Sequence, residues 1–158
     1  MNAQTIIQKL NLKPHPEGGF YSETFRSEKN VKVDGGGEKR AGTAIYFLLE
    51  GDEKSHFHKI TSDELWFFHQ GETVEVVVIV EREVRTIILG NDVDNGERPQ
   101  AIMPANTWFA AKIRSSKGYA LVSCTVAPAF DFADFQLARR EDLIQQYPDL
   151  TDIITEFT

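Results

Sequence analysis

The sequence predicts an antiparallel β-sandwich or barrel with short helices at its two ends, and three observations lead there. Runs of four to eight β-branched and aromatic residues recur along the middle of the chain, from Thr43 to Val126, and such runs fit a pleated, half-buried surface. Gly, Asp, Asn and Pro clusters separate them, as the turns of an antiparallel sheet require. No helix-length pattern lies between them, so the crossover connections of a parallel sheet have nothing to be built from. With 158 residues, 41% hydrophobic and 26% charged, the chain suits one globular domain over residues 1–158.

The elements follow in order. Ile6, Ile7 and Leu10 sit at helical spacing and predict a helix over about 3–10, stopped before Pro14 and Pro16. The stretch Glu17-Gly18-Gly19 is expected to be a tight turn feeding a first strand, Phe20 to Phe25. Val33 to Gly42 carries three successive glycines among charges and is expected to be an exposed loop. The strands TAIYFLL (Thr43 to Leu49), the histidine segment, LWFFH (Leu65 to His69), VEVVVIV (Val74 to Val80) and VRTIIL (Val84 to Leu89) follow. Beyond the acidic turn Asp92 to Glu97 come Gln100 to Met103, Thr107 to Ile113 and Tyr119 to Val126, which places the barrel over about 18–132. The tail then changes period. Asp134 is expected to cap a helix through LARREDLIQQY that ends at Pro148, and Asp149 to Phe157 to form another, giving C-terminal helices over about 135–157.

Charge and composition narrow the partners. A formal charge of −7 with scattered Lys and Arg offers no basic face, which argues against nucleic acid and against an anionic membrane surface. No stretch approaches the roughly 20 apolar residues of a membrane span, and the N-terminus lacks a secretory pattern. The one cysteine, Cys124, lies in an apolar run and is expected to be a buried, inert thiol. A cytoplasmic location is expected.

The chemistry concentrates in SHFHKITSDELWFFHQG, Ser55 to Gly71. In a regular strand His56 and His58 project to one face, and a carboxylate from the next strand would complete a metal set of two histidines and one carboxylate. Asp63 and Glu64 point to opposite faces. Glu64 shares parity with Trp66 and Phe68 and is the one expected to enter a pocket. Arg26 is its candidate ion-pair partner across the barrel mouth. His58 is a candidate base because an imidazole titrates near neutrality. Trp66, Phe68 and Trp108 would line an aromatic cavity, and Gln100 could hydrogen-bond a ligand. His15 and His69 are expected to be structural or exposed.

Gly51, His56, His58, Glu64 and Gly71 resemble the first cupin motif, with six residues between Glu64 and Gly71 as in that motif. Pro104 to Phe109 stands where the second motif has its last histidine. Asn106 replaces a glycine there, and Phe109 replaces the ligand. The combination of PHPEGGFY at Pro14, TFRS at Thr24, AIYFLL at Ala44, SDELW at Ser62, WFAA at Trp108 and CTVAPAFDF at Cys124 resembles one cupin group, cupin_5 or DUF985. The group's own pattern is carried here by Ser55, His58 and Lys59, with His56 at an open position.

That resemblance implies an all-β double-stranded β-helix (jelly roll) with short flanking helices, a homodimer, and a small-molecule ligand in the barrel, such as a sugar or nucleotide sugar. It implies His58, Tyr46 and Glu64 as base, acid and orienting group of an epimerase- or isomerase-like reaction. Ser55, Lys59, Trp66, Phe68, Gln100, Trp108 and Arg26 would contact the ligand. No cofactor is expected. The alternative is a divalent transition metal on His56, His58 and Glu64, and a further alternative is a non-catalytic binding or storage barrel.

Overall fold

A computed structural model describes residues 2–158. The N-terminal helix α1 is Ala3–Lys9, with the Asn2 side chain accepting from the Thr5 amide. The strands are β1 Lys13–Pro14, β2 Phe20–Arg26, β3 Asn30–Lys32, β4 Glu38–Arg40, β5 Thr43–Glu50, β6 Lys54–Lys59, β7 Asp63–Gly71, β8 Val74–Val80, β9 Glu83–Leu89, β10 Gln100–Met103, β11 Trp108–Ile113, β12 Tyr119–Ala127 and β13 Gln136–Leu137. Helices α2 (Arg140–Gln146) and α3 (Thr151–Glu156) close the chain.

One sheet has the order β1-β2-β5-β12-β7-β10, and a second has β13-β6-β11-β8-β9. All their ladders are antiparallel. The two sheets face each other as a double-stranded β-helix. Between them lies a core of Phe47, Trp66, Val76, Val78, Met103, Phe109, Val122 and Cys124.

Both outer faces are also covered. Helix α1 packs Ala3 and Ile6 against Leu48 and Leu121 on the back of the first sheet. Leu143, Ile154 and Phe157 cover Phe57, Val77, Trp108 and Ala110 on the back of the second. Strands buried on two faces lose the alternation of polar and apolar residues, which is why β5 and β8 read as continuous apolar runs.

Two expectations are corrected. Val33 to Gly42 is not all loop: β3 and β4 pair as a hairpin, and Gly35, Gly36 and Gly37 take up its turn at positive φ. Asp134 caps no long helix. It pairs with Lys39 in a short 3-10 turn, Phe132–Asp134, while Leu137 pairs with His58 in the β13–β6 ladder. Helix α2 starts three residues later than Leu137, because the chain spends residues 136–137 extending the second sheet.

Candidate functional site

A cavity of about 360 Å³ opens at one end of the barrel. The inward residues of five strands line it: Tyr21 and Glu23 of β2, Ile45 and Phe47 of β5, His58 of β6, Glu64 and Trp66 of β7, and Cys124 and Val126 of β12. His15 and Glu17 enter from the turn ahead of β2, and Lys13, Arg26, Phe130 and Phe132 form the mouth.

The turn is held by its docking on β6. The Glu17 carbonyl accepts from the His56 amide at 2.8 Å and from His56 Nδ1 at 2.7 Å. Gly18 has φ of +108°, and a Cβ there would lie 2.0 Å from the Lys54 carbonyl oxygen. Only glycine allows so close an approach. The Glu17 side chain is thereby placed inside, 5% exposed. Its Oε1 accepts from Ser55 Oγ at 2.7 Å, and its Oε2 lies 3.1 Å from His58 Nε2 and 3.4 Å from His15 Nδ1.

His58 is buried between Phe109, centroid distance 4.2 Å, and Phe135, at 5.4 Å. Its Nδ1 donates to the His56 carbonyl at 2.8 Å. The Glu17–His58 spacing would suit an ion pair, but a buried ion pair loses more hydration than most pairs regain. Burial pushes the Glu17 carboxyl up to about 8, against a smaller lowering by the Ser55 hydrogen bond. Burial also lowers the His58 pKa, offset in part by Glu64. Both shifts favour the uncharged form of each partner. His15 is lowered to about 4 by burial and then by His58, and its Nδ1 accepts from the Glu17 amide at 3.2 Å.

Glu64 faces in with Trp66, as parity predicts. Its Oε1 accepts from Trp66 Nε1 at 2.7 Å, and the Cys124 thiol donates to it. Burial raises its pKa to about 7, against lowering by His58 and these two donors. The same burial pushes the Cys124 thiol well up, so it stays protonated, as expected of an inert thiol.

Several sequence expectations are corrected here. Tyr46 lies on the outer face of β5, in a groove with Ile6, Leu10 and His69, because Ile45 and Phe47 are the inward residues. Lys59 and Trp108 are also outside: the Lys59 ammonium sits 4.7 Å over the Trp108 ring, beneath helix α2. Gln100 is exposed on edge strand β10. Phe68 packs on the core beside the cavity and does not line it. Ser55 reaches the site through Glu17. Arg26 does stand at the mouth, yet its partner is Glu23, bound through Nε and Nη2 at 2.9 and 2.8 Å, and not Glu64. His15, expected to be structural or exposed, lines the cavity, and so does Glu17, which the sequence placed only in a tight turn.

The donor set does not fit a metal. A bulge between Phe109/His58 and Ala111/Ser55 in the β6–β11 ladder turns Ser55 and His58, three apart, to the inside and breaks the expected pairing of His56 with His58. His56 Nδ1 and both His58 nitrogens are already engaged. Phe109 fills the place of a third imidazole, and among the described residues no group of three His, Cys, Asp or Glu side chains is placed to hold a metal ion. Asn106 takes the left-handed conformation expected of it, φ 60°.

Comparison with known proteins is consistent with this architecture. Residues 4–138 match the model of the Cupin superfamily family DUF985. A hypothetical protein from Leishmania major superposes with a TM-score of 0.95 at 33% identity, covering 100% of this chain and 99% of that one. Protein SO0799 from Shewanella oneidensis gives 0.92 at 37%, covering 100% and 98%. The uncharacterized protein YML079W of Saccharomyces cerevisiae is 29% identical over 153 residues, covering 88% of this chain and 76% of that protein.

Proposed function

The chain belongs to the DUF985 family of the Cupin superfamily, and from that premise we propose that its barrel binds a small polar metabolite and moves a proton on it, as an epimerase- or isomerase-like enzyme. One observation carries the reading. Glu64 is buried yet lines the cavity, and this burial raises its pKa to about 7, which favours a carboxyl that acts as a base near neutral pH. Trp66 Nε1 fixes Oε1, which leaves Oε2 for a ligand.

The walls suit such a ligand. Phe47, Tyr21, Trp66 and Phe132 supply aromatic lining, and Lys13 and Arg26 place positive charge at the mouth. A mostly apolar hollow with a few convergent polar groups is the usual form of a metabolite site. A storage barrel would have its interior filled by its own side chains with no buried ionisable group, and the hollow with Glu17, His58 and Glu64 favours the catalytic reading over that one.

The test uses aldoses, sugar nucleotides and 2-hydroxy acids as probes. Thermal shift selects those that bind, and ¹H NMR in D₂O follows exchange of their C–H protons. The expected result is a probe that raises Tm, loses one C–H signal with the wild type and keeps it with Glu64→Gln while still binding. Binding without exchange would leave a binding protein only. No thermal shift from any probe would remove the metabolite reading for these classes.

A further inference from the structure

We propose that Glu17 is the acid of this cavity: a carboxylic acid whose Oε2–H donates to His58 Nε2, so that one ligand meets a neutral carboxyl on one side and the Glu64 carboxylate on another. The inference rests on the reading of Glu64 as base. It begins with hydrogen-bond direction. The His56 carbonyl can only accept, so His58 Nδ1 carries a proton at that 2.8 Å contact. A neutral ring then has a bare Nε2, which can only accept, and the atom 3.1 Å away is Glu17 Oε2. The proton in that contact must come from Glu17.

The other arrangement, imidazolium with carboxylate, would place two charges among Phe109, Phe135 and Phe47. Glu64 favours the imidazolium but offsets the effect of its burial only in part, and the remaining groups around Glu17 do not help it. His15 accepts at Nδ1 from the Glu17 amide and is therefore neutral. The Cys124 thiol is directed to Glu64. Arg26 is committed to Glu23 and the Phe130 carbonyl, and the Lys13 ammonium sits 5.2 Å over the Tyr21 ring. Apart from the His58 contact, the donor to the carboxyl among the described residues is Ser55 Oγ. The raised Glu17 and lowered His58 pKa values agree with the neutral pair.

A carboxyl that donates to His58 beside a second carboxyl that accepts from Trp66 Nε1 would supply acid and base in one site. The ligand class that uses both is an α-hydroxycarbonyl compound. Glu64 takes the proton from the α carbon, the C–H electron pair forms a C=C bond, and the carbonyl π pair takes the proton of Glu17. The enediol that results collapses at the neighbouring carbon: Glu64 gives its proton to the former carbonyl carbon, and the former α hydroxyl, as it becomes the new carbonyl, returns a proton to Glu17, so both carboxyls regain their starting states. No oxidant or co-reactant is consumed.

The test has a physical and a chemical arm. Infrared spectra of protein carrying ¹³C-carboxyl glutamate should show an un-ionised carboxyl component at pH 7 that persists in Glu64→Gln and disappears in Glu17→Gln. ¹⁵N NMR should show His58 protonated at Nδ1 alone. A doubly protonated His58 with no un-ionised carboxyl assignable to Glu17 would overturn the inference, and the wild-type spectra decide this even where a variant fails to fold. Wild-type protein should exchange the α proton of glyceraldehyde or dihydroxyacetone in D₂O, and Glu17→Gln should slow this about 100-fold. Absence of exchange by the wild type overturns the substrate class, and unchanged exchange by Glu17→Gln overturns the role. If instead Glu64→Gln exchanges normally while Glu17 is shown neutral, it is the assignment of Glu64 as base that fails.

Discussion

Ser55 Oγ supplies the hydroxyl donor to a carboxyl 38 positions earlier in the chain, and its value to the site lies in that single contact. Ser55→Ala would leave a buried acceptor without its donor, a loss of about 1–3 kcal/mol, and urea unfolding should show it. The substitution should also alter ligand exchange, because Glu17 loses the contact that fixes its rotamer. Tyr46→Phe should do neither. Its hydroxyl lies on the far side of β5, so D₂O exchange at wild-type rate is expected, and a large loss would show that the inward and outward faces of β5 have been misassigned. Of these side chains, Glu64 was legible from parity with Trp66. Tyr46 was not, since TAIYFLL is apolar on both faces and its alternation says nothing of which face is hollow.

At the scale of elements, the turn His15 to Gly19 and strand β6 act as one unit. The turn docks its Glu17 carbonyl on the His56 amide and ring, and Gly18 permits the approach to Lys54. Gly18→Ala meets both a backbone clash and an unfavourable positive φ. It should cost at least about 2 kcal/mol by urea unfolding and displace Glu17 from His58. Full retention of stability and of ligand exchange would refute the role given to this turn. The β6 bulge explains why H-x-H was misleading as a metal signal: an extra residue changes which side chains share a face, and no local pattern in SHFHK marks it. The spacing Ser55-x-x-His58 was the available clue. The helices show the same limit, for Leu137 fits a helical stripe but is held in β13 by pairing with His58.

At the scale of the whole molecule, the cavity groups Glu17, Glu64, His15 and His58 have shifted pKa values that shape how stability varies with pH near neutrality. Glu17 and Glu64 are raised in the folded state, to about 8 and about 7, so each contributes stability below its unfolded pKa that is lost as pH rises through the folded value. His15 and His58 are lowered, so each contributes stability above its unfolded pKa that is lost as pH falls. Between about pH 4.5 and 6.5 the two pairs oppose one another. Above about 6.5 only the carboxyls still change, and stability should fall by on the order of 3 kcal/mol up to pH 8, roughly 5–10 °C in Tm. Calorimetry should find a plateau near pH 6 with this decline, and Glu17→Gln should flatten it. A Tm that rises from pH 6.5 to 8 would contradict the burial of these carboxyls. By itself the sequence determined the strand content, the flanking helices, the inward turn of Glu64 and the phenylalanine in place of a last imidazole, because each depends on residue type and on a period of two or on a quoted motif. The tertiary structure alone decided that His15 and Glu17 join His58, that His56 leaves it, and that Tyr46, Lys59 and Trp108 lie outside. Those outcomes depend on a turn docking across about 40 residues of chain, on one bulge, and on helices covering both outer faces, and a covered outer face has the same apolar composition as an inner one.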